Sequence, residues 1–257
     1  MIITFLGTGD SMGTPRVYCE CEVCEEARET GINRRLRSSL LLEDEGELPL
    51  LLDCGPDWRE QMEKAGLRGV GRALLTHAHF DHIVGLPEWA DACRWTEAPA
   101  TIHAPREVTG DVLSRFPWLD RQFRFEANDE GTAYGGWRIA PWRVNHGKNG
   151  YSYAYRFDHA ERGVSWAYCS DSIDLTEGQK APLAGLSLLV LGTSFAEEPY
   201  PMDTRSVYDM KEGLALAEET RPGSVVFTHL SHDVDLRRSY GHPDHVTIAH
   251  TGLRLTI

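Results

Sequence analysis

His77-Ala78-His79-Phe80-Asp81-His82 is the most informative stretch of this sequence, and it follows directly on the largely apolar run Ala73-Leu74-Leu75-Thr76. In an extended segment the side chains of His77 and His79 point to the same side, and those of Asp81 and His82 can reach an adjacent position. Imidazole nitrogens bind zinc and other borderline divalent metals, and a carboxylate adds charge and can bridge two ions. A histidine-rich surface loop is the alternative. Four ligand-type residues in six, placed after a strand, favour a metal site.

Other polar residues also follow apolar runs, at Asp53, His146, Asp171 and His229. Functional side chains commonly lie on loops at the strand ends of a rigid scaffold. Taken singly, His146, Asp171 and His229 are each more readily explained as a surface or capping residue. Taken together with the hexapeptide, His146, Asp171 and His229 would complete a set of ligands for two metals.

A second cluster of ligand-type residues is formed by Cys19, Cys21 and Cys24, three thiols within six positions. Glutamates flank these thiols and oppose thiolate formation unless a cation is bound. A tetrahedral zinc needs four ligands, and His232 is the best candidate for the fourth. Free or redox-active cysteines are the alternative.

The composition is that of an ordinary globular protein, with 257 residues, 41% hydrophobic residues and a formal net charge of −13. We expect one domain over residues 1–257, carrying a zinc-binding cysteine loop at about 19–24. The acidic balance argues against binding nucleic acid or an anionic membrane through bulk charge. The first residues lack a basic region and read as a strand, so we expect a cytoplasmic location, and a homodimer is compatible with the sequence.

Short apolar runs dominate the chain and predict a strand-rich protein with interspersed helices. The helical patterns cover Cys24–Glu29, Asp57–Ala65, Pro87–Trp95 and Val207–Thr220. This mixture favours an α/β fold in which helices cover packed sheets.

The histidine and aspartate motifs resemble those of the metallo-β-lactamase superfamily, whose signature is HxHxDH followed by a histidine, an aspartate and a histidine. The resemblance implies a four-layer αββα sandwich. It assigns His77, His79 and His146 to one metal and Asp81, His82 and His229 to the other, with Asp171 between them and Asp53 supporting the metal loop. Members of the lactamase type have cysteine where Asp171 stands, and oxygen-reducing members have glutamate where His79 stands. Neither departure occurs here, which favours hydrolysis.

The cysteine cluster, the arginine-rich segment 33–37 and the ending Thr228-His229-Leu230-Ser231-His232 narrow the resemblance to one branch. That branch includes the phosphoribosyl cyclic phosphate phosphodiesterase of the bacterial carbon–phosphorus lyase pathway. It implies a structural zinc held by Cys19, Cys21, Cys24 and His232. The branch enzyme also has a histidine, proposed as general acid, where this chain has Val207. The alternatives for that role are Asp203, Tyr208, Asp209 and a metal-bound water.

We therefore expect a binuclear metal-dependent hydrolase acting on a small phosphodiester, cyclic substrates included. A hydroxide between two zinc, manganese or iron ions would attack phosphorus, with Asp81 and Asp171 orienting it. The alternatives are an RNA-processing nuclease or another ester or thioester hydrolase on the same scaffold, and a non-catalytic, metal-stabilised accessory protein in cofactor biosynthesis.

Two further groups of basic residues are interpreted as surface features. Arg34, Arg35 and Arg37 are expected to form a solvated basic patch, although they could also hold a substrate phosphate. His242, His245 and His250 lie beyond the resembling motifs and are expected in a surface loop.

Overall fold

The apolar runs of the chain form two seven-stranded β-sheets that pack face to face. The computed structural model describes all of residues 1–257. The first sheet has the spatial order β14 (Arg254–Thr256), β1 (Ile2–Gly7), β2 (Ser39–Glu43), β3 (Leu50–Leu52), β4 (Arg72–Leu74), β5 (Ala100–Ala104) and β6 (Phe123–Ala127). The second has the order β13 (Val246–Ile248), β12 (Ser224–Thr228), β11 (Leu188–Gly192), β10 (Val164–Cys169), β9 (Tyr151–His159), β8 (Trp137–Asn145) and β7 (Thr132–Tyr134).

Seven α-helices accompany the sheets. They are α1 (Glu22–Glu29), α2 (Trp58–Ala65), α3 (Phe80–Ile83), α4 (Leu86–Thr96), α5 (Arg106–Arg115), α6 (Glu177–Lys180) and α7 (Met210–Thr220). Four of them match the predicted helical patterns, but α7 begins three residues later than predicted. Asp209 caps it, since the Asp209 carboxylate accepts a hydrogen bond from the amide of Glu212 at 2.8 Å, so Val207 precedes the helix.

The central core lies between the two sheets. Leu50 and Leu52 of β3 point into it, whereas Leu51 between them points to the outer face of the same sheet. This alternation follows from the two-residue period of a strand, and it explains why strands buried on both faces read as unbroken apolar runs. From the second sheet, Phe157 and Trp166 stack in the same core with ring centroids 4.0 Å apart.

Helices cover the outer face of each sheet. Side chains of α2, α4 and α5 form a core with the first sheet, and side chains of α7 form another with the second. The layers are therefore helix, sheet, sheet and helix, which is the predicted αββα sandwich.

The C-terminal segment contributes more structure than the sequence predicted. β13 pairs in parallel with β12, and β14 pairs antiparallel with β1, so residues after 245 complete one edge of each sheet. Both strands are only three residues long and largely exposed on one face, which leaves a weak apolar signal. No helix in the structure is both long and apolar enough to cross a membrane.

Candidate metal centre

Seven of the predicted ligands converge at one place between the two sheets. His77 follows β4, His146 follows β8, Asp171 follows β10 and His229 follows β12. Within the second sheet β10, β11 and β12 run parallel, so Asp171 and His229, which follow β10 and β12, lie at the same end of the strands. The remaining ligands, His79, Asp81 and His82, come from the loop and the short helix α3 that follow His77.

One group of ligand atoms consists of three imidazoles. His79 presents Nδ1, which lies 2.8 Å from Nε2 of His77 and 3.3 Å from Nε2 of His146. Tetrahedral zinc with Zn–N bonds of about 2.0–2.1 Å implies N···N separations of about 3.3 Å. The three nitrogens are therefore spaced as the ligands of a single ion would be.

A second group contains Asp81, His82 and His229. Oδ2 of Asp81 lies 3.2 Å from Nε2 of His82 and 3.6 Å from Nε2 of His229. Asp171 lies between the two groups: its Oδ1 is 3.7 Å from Nε2 of His146 and 3.3 Å from Nε2 of His229, while its Oδ2 is 3.2 Å from Nε2 of His82. This is the position that a bridging carboxylate requires.

Asp53 supports ligands of both groups through buried hydrogen bonds. Its Oδ2 lies 2.7 Å from Nδ1 of His82, and its two oxygens accept from the amide and hydroxyl of Thr76 at 2.9–3.1 Å. The Thr76 hydroxyl in turn lies 3.0 Å from Nδ1 of His77. Hydrogen bonds of this kind fix which ring nitrogen faces the metal, so Asp53 occupies the supporting place expected for it.

The close approach of the Asp53 loop to α3 depends on glycine. A Cβ added at Gly55 would lie 2.1 Å from the carbonyl oxygen of Asp81, where no side chain fits. The amide of Cys54 also donates to the carbonyl of His82 at 2.7 Å. The two loops are therefore joined backbone to backbone at the point where the ligands are presented.

His146 is oriented by the segment that precedes α7. Its Nδ1 donates to the carbonyl oxygen of Ser206 at 2.7 Å, which leaves Nε2 for the centre. Gly147, at φ +56°, then packs against the carbonyl of Arg205, where a Cβ would lie 2.1 Å away. The buried Arg205 guanidinium holds this segment in place through Glu212 at 2.6 Å.

The histidine pKa values shift in opposite directions in the two groups of ligands. Burial lowers the pKa values of His77, His79 and His146, so these rings are neutral near pH 7 and have free nitrogens for a metal. Burial alone would also lower the pKa values of His82 and His229, but the neighbouring aspartates raise both in the metal-free chain.

The aspartates respond in the opposite direction. Burial would raise the pKa values of Asp81 and Asp171, but His82 and His229 hold both below the ordinary range. Both carboxylates are therefore ionised at neutral pH and available as ligands.

Several buried atoms of the centre make no hydrogen bond of acceptable geometry in the protein, although some lie 3.2–3.3 Å from another ligand atom. They include Nε2 of His82, Oδ2 of Asp171 and both ring nitrogens of His229. Buried polar atoms are rarely left unpaired without a reason. The donor set of imidazoles and carboxylates fits divalent zinc, manganese or iron, so these residues fit two metal ions.

The predicted cysteine cluster also assembles. Nδ1 of His232 lies 3.3 Å from Sγ of Cys19, 3.5 Å from Sγ of Cys21 and 3.4 Å from Sγ of Cys24. A tetrahedral zinc with three thiolates and one imidazole implies S···N separations of about 3.6 Å. The four side chains, with ligand atoms all within 4.8 Å of one another, thus fit a structural zinc.

The residues at and beside Val207, where the related enzyme has histidine, are mostly engaged in the fold. Val207 is buried, with 4% of its surface exposed. The Tyr208 hydroxyl accepts from the amide of Leu175, and burial raises its pKa to about 12. Asp209 is the cap of α7, and Asp203 lies in an exposed 3-10 helix.

The prediction of a solvated basic patch is wrong for two of the three arginines, Arg35 and Arg37. Arg35 is buried and donates to the carbonyl of Val234, in a segment that pairs with Thr14 through an isolated β-bridge. Arg37 is half-buried and pairs with Asp57 at 3.2 Å, and only Arg34 is exposed.

The C-terminal histidines lie away from the metal centre. His245 and His250 are exposed, in agreement with the expected surface loop. His242 is half-buried, its ring stacked on Tyr240 and edge-on to Phe227, and burial lowers its pKa.

Three supporting groups of the centre have little or no signal in the sequence. Thr76 ends a predicted strand, and its place directly before His77 is the one indication of a supporting role. The Ser152 hydroxyl, 3.3 Å from Nδ1 of His77, carries no signal of its own. The Ser206 carbonyl is a backbone atom and leaves no trace in the sequence.

Comparison with known proteins gives a family match and several relatives. A model described as "Beta-lactamase superfamily domain" matches residues 49–230. Among curated proteins, an octanoyltransferase from Porphyromonas gingivalis is 37% identical over 117 residues, a match that covers 46% of this chain and 23% of that protein. The matches span less than half of the length of the first curated relatives.

Several solved structures resemble the whole chain, two of them with TM-scores above 0.8. One is described as a new diphosphatase from the PhnP family; it is 28% identical, has a TM-score of 0.86, and the match covers 100% of this chain and 97% of that one. The other is Zn²⁺-bound PqqB from Methylobacterium extorquens, 21% identical with a TM-score of 0.82 and full coverage of both chains. The second likeness concerns the fold alone.

Proposed function

This chain belongs to the beta-lactamase superfamily, and we propose that it is a binuclear metal-dependent hydrolase acting on a small phosphodiester. The observation that carries the proposal is the convergence of five histidines and two aspartates into two adjacent ligand groups that share Asp171. The similarity to a PhnP-family diphosphatase over the whole chain supports phosphoester chemistry in particular.

In this proposal, His77, His79 and His146 hold one metal, and Asp81, His82 and His229 hold the other. Asp171 faces both. When bound, two divalent ions supply Lewis-acid activation of water and neutralise the charge that develops on the phosphoryl oxygens.

The residues of the chain position the metal ligands and shield them from water. His77, His82, His146 and Asp171 are each at most 3% exposed, and their supporting hydrogen bonds fix their orientation before substrate arrives. Phe80, within the same motif, is 49% exposed and marks a side of the loop that is open to solvent. Preorganised ligands of this kind need no rearrangement during the reaction.

Charge also favours a small substrate over a polymer. The chain as a whole carries −13, so the bulk surface repels polyanions. Two dications held by two carboxylates would make the centre locally positive, which suits a single phosphate group. No side chain of the segment around Val207 is proposed as the proton donor.

The experiment is an assay with bis(p-nitrophenyl) phosphate on the purified, metal-loaded chain, together with Asp171→Asn. We expect this variant to lose activity by at least about 100-fold, because it alters the shared ligand. Asp174→Asn is the matched control, since Asp174 is an exposed carboxylate three residues further along the same loop, and it should retain wild-type activity.

Activity that persists in Asp171→Asn after treatment with a chelator would overturn the mechanism. Metal-loaded protein that is inert on phosphodiesters but active on an ester or thioester would overturn the substrate class and leave the metal centre standing.

A further inference from the structure

We propose that the cysteine–histidine cluster (Cys19, Cys21, Cys24 and His232) positions His229, so that metal bound at the cluster strengthens metal binding at the second group of the active centre. The inference rests on the proposed binuclear centre, but it does not depend on the substrate. His229 and His232 are three residues apart, and each belongs to a different candidate metal site.

His229 differs from three other histidines of the centre. In His77, His82 and His146 the ring nitrogen that faces away from the centre has a partner, at Thr76, Asp53 and Ser206 respectively. Nδ1 of His229 is buried and has no hydrogen-bond partner in the protein. Its ring is therefore oriented by its backbone rather than by a hydrogen bond.

That backbone adopts an unusual conformation. His229 has φ +57°, in the left-handed region that residues other than glycine seldom occupy, and such a residue persists only where its surroundings impose the conformation. On its C-terminal side, the amide of Leu230 donates to the carbonyl of Thr8 at 2.8 Å, and the amide of Asp10 donates to the carbonyl of Leu230 at 3.0 Å. Leu230, the residue directly after His229, is thus paired with residues 8–10.

The cysteine cluster secures both partners of this contact. His232 contacts the three sulfurs directly, at 3.3–3.5 Å. On the other side, the carboxylate of Asp10 pairs with Arg16 at 2.7 Å, and the amide of Arg16 donates to Sγ of Cys24 at 3.4 Å. An ion held by the three sulfurs and His232 would therefore fix the segment that follows His229 together with residues 8–10, which it contacts.

The test compares the wild-type chain with Cys21→Ala. Cys21 is exposed, so its removal disturbs little packing. We expect the variant to hold one metal fewer, and the metal of the second active-site group to bind about tenfold less tightly, as when a supporting group of a ligand is lost. The readouts are metal content by mass spectrometry and affinity by competition with a chromophoric chelator. Glu20→Ala, an exposed change beside it, should behave as wild type.

Hydrogen–deuterium exchange gives a second readout that needs no substrate. In metal-loaded Cys21→Ala the amides of Leu230 and Ser231 should exchange about tenfold faster than in wild type, while that of Thr76 is unchanged. Cys21→Asp retains a ligand that zinc accepts and should shift both readouts back toward wild type. Should Cys21→Ala not fold, Cys21→Ser, which keeps the size of the side chain but removes the thiolate ligand, replaces it.

Loss of the cluster metal with unchanged exchange at Leu230 and Ser231 and unchanged active-site affinity would overturn the inference. A chain that binds no metal outside the cysteine cluster would instead refute the proposed function. The two failures are therefore distinct.

Discussion

Asp53 is the most revealing residue to perturb, because one carboxylate supports ligands of both metal groups. It is fully buried and receives three donors: Nδ1 of His82, the Thr76 amide and the Thr76 hydroxyl. Asp53→Ala leaves all three unpaired. At about 1–1.5 kcal/mol for each buried donor, we expect the free energy of unfolding of the metal-free chain to fall by about 3–5 kcal/mol.

Asp53→Asn separates stability from metal binding. The amide keeps one acceptor oxygen but replaces the other with a donor, so one of its partners is mismatched in either orientation. If the amide nitrogen faces His82, the ring must carry its proton on Nε2, the atom that faces the centre. We expect an unfolding cost of only about 1–2 kcal/mol, with metal affinity lowered about 10–100-fold.

Urea denaturation of the metal-free variants measures the first quantity, and competition with a chelator measures the second. Asp174→Asn, on the exposed side of a neighbouring loop, should change neither. An Asp53→Asn chain that binds both metals with wild-type affinity would refute the supporting role of Asp53.

Two other predictions concern the metal-free chain. Because aspartates raise the pKa values of His82 and His229 above that of an unfolded histidine, about 6.5, the stability that these groups contribute is present at low pH and lost as pH rises through the raised values. The chain should therefore be less stable to urea at about pH 9 than at about pH 7, and an undiminished difference in Asp171→Asn would contradict this cause. Gly55→Ala should lower the free energy of unfolding by about 1–3 kcal/mol, because the added Cβ meets a carbonyl oxygen. Gly69→Ala is the control, since its Cβ meets no atom within 4 Å. Equal effects of the two substitutions on unfolding would contradict the close approach at Gly55.

The convergence of the candidate ligands could be predicted in part because four of them each follow an apolar strand, namely His77, His146, Asp171 and His229. The other three lie within five residues of His77. Because β10, β11 and β12 run parallel, Asp171 and His229 lie at the same end of the strands. Their proximity follows from the fold class and not from the local sequence pattern. The apolar runs predicted packed sheets covered by helices, since strands buried on both faces leave continuous apolar runs. The order of the four layers came from the resemblance to the superfamily.

What could not be predicted lies mostly in the backbone and at the sheet edges. The carbonyl of Ser206 orients His146, but a carbonyl looks the same at every residue. The left-handed conformation of His229 is imposed by its neighbours and has no signature in a histidine. The strand β14 is short and exposed, and only its pairing with β1 reveals it.

The central claim is that seven side chains hold two metals, and a crystal structure of the zinc-loaded chain with anomalous scattering tests it most directly. The account predicts two peaks about 3.5–4 Å apart in the centre, one beside His77, His79 and His146, the other beside Asp81, His82 and His229, with Asp171 contacting both. A fully occupied cysteine cluster together with one peak or none in the centre would contradict it.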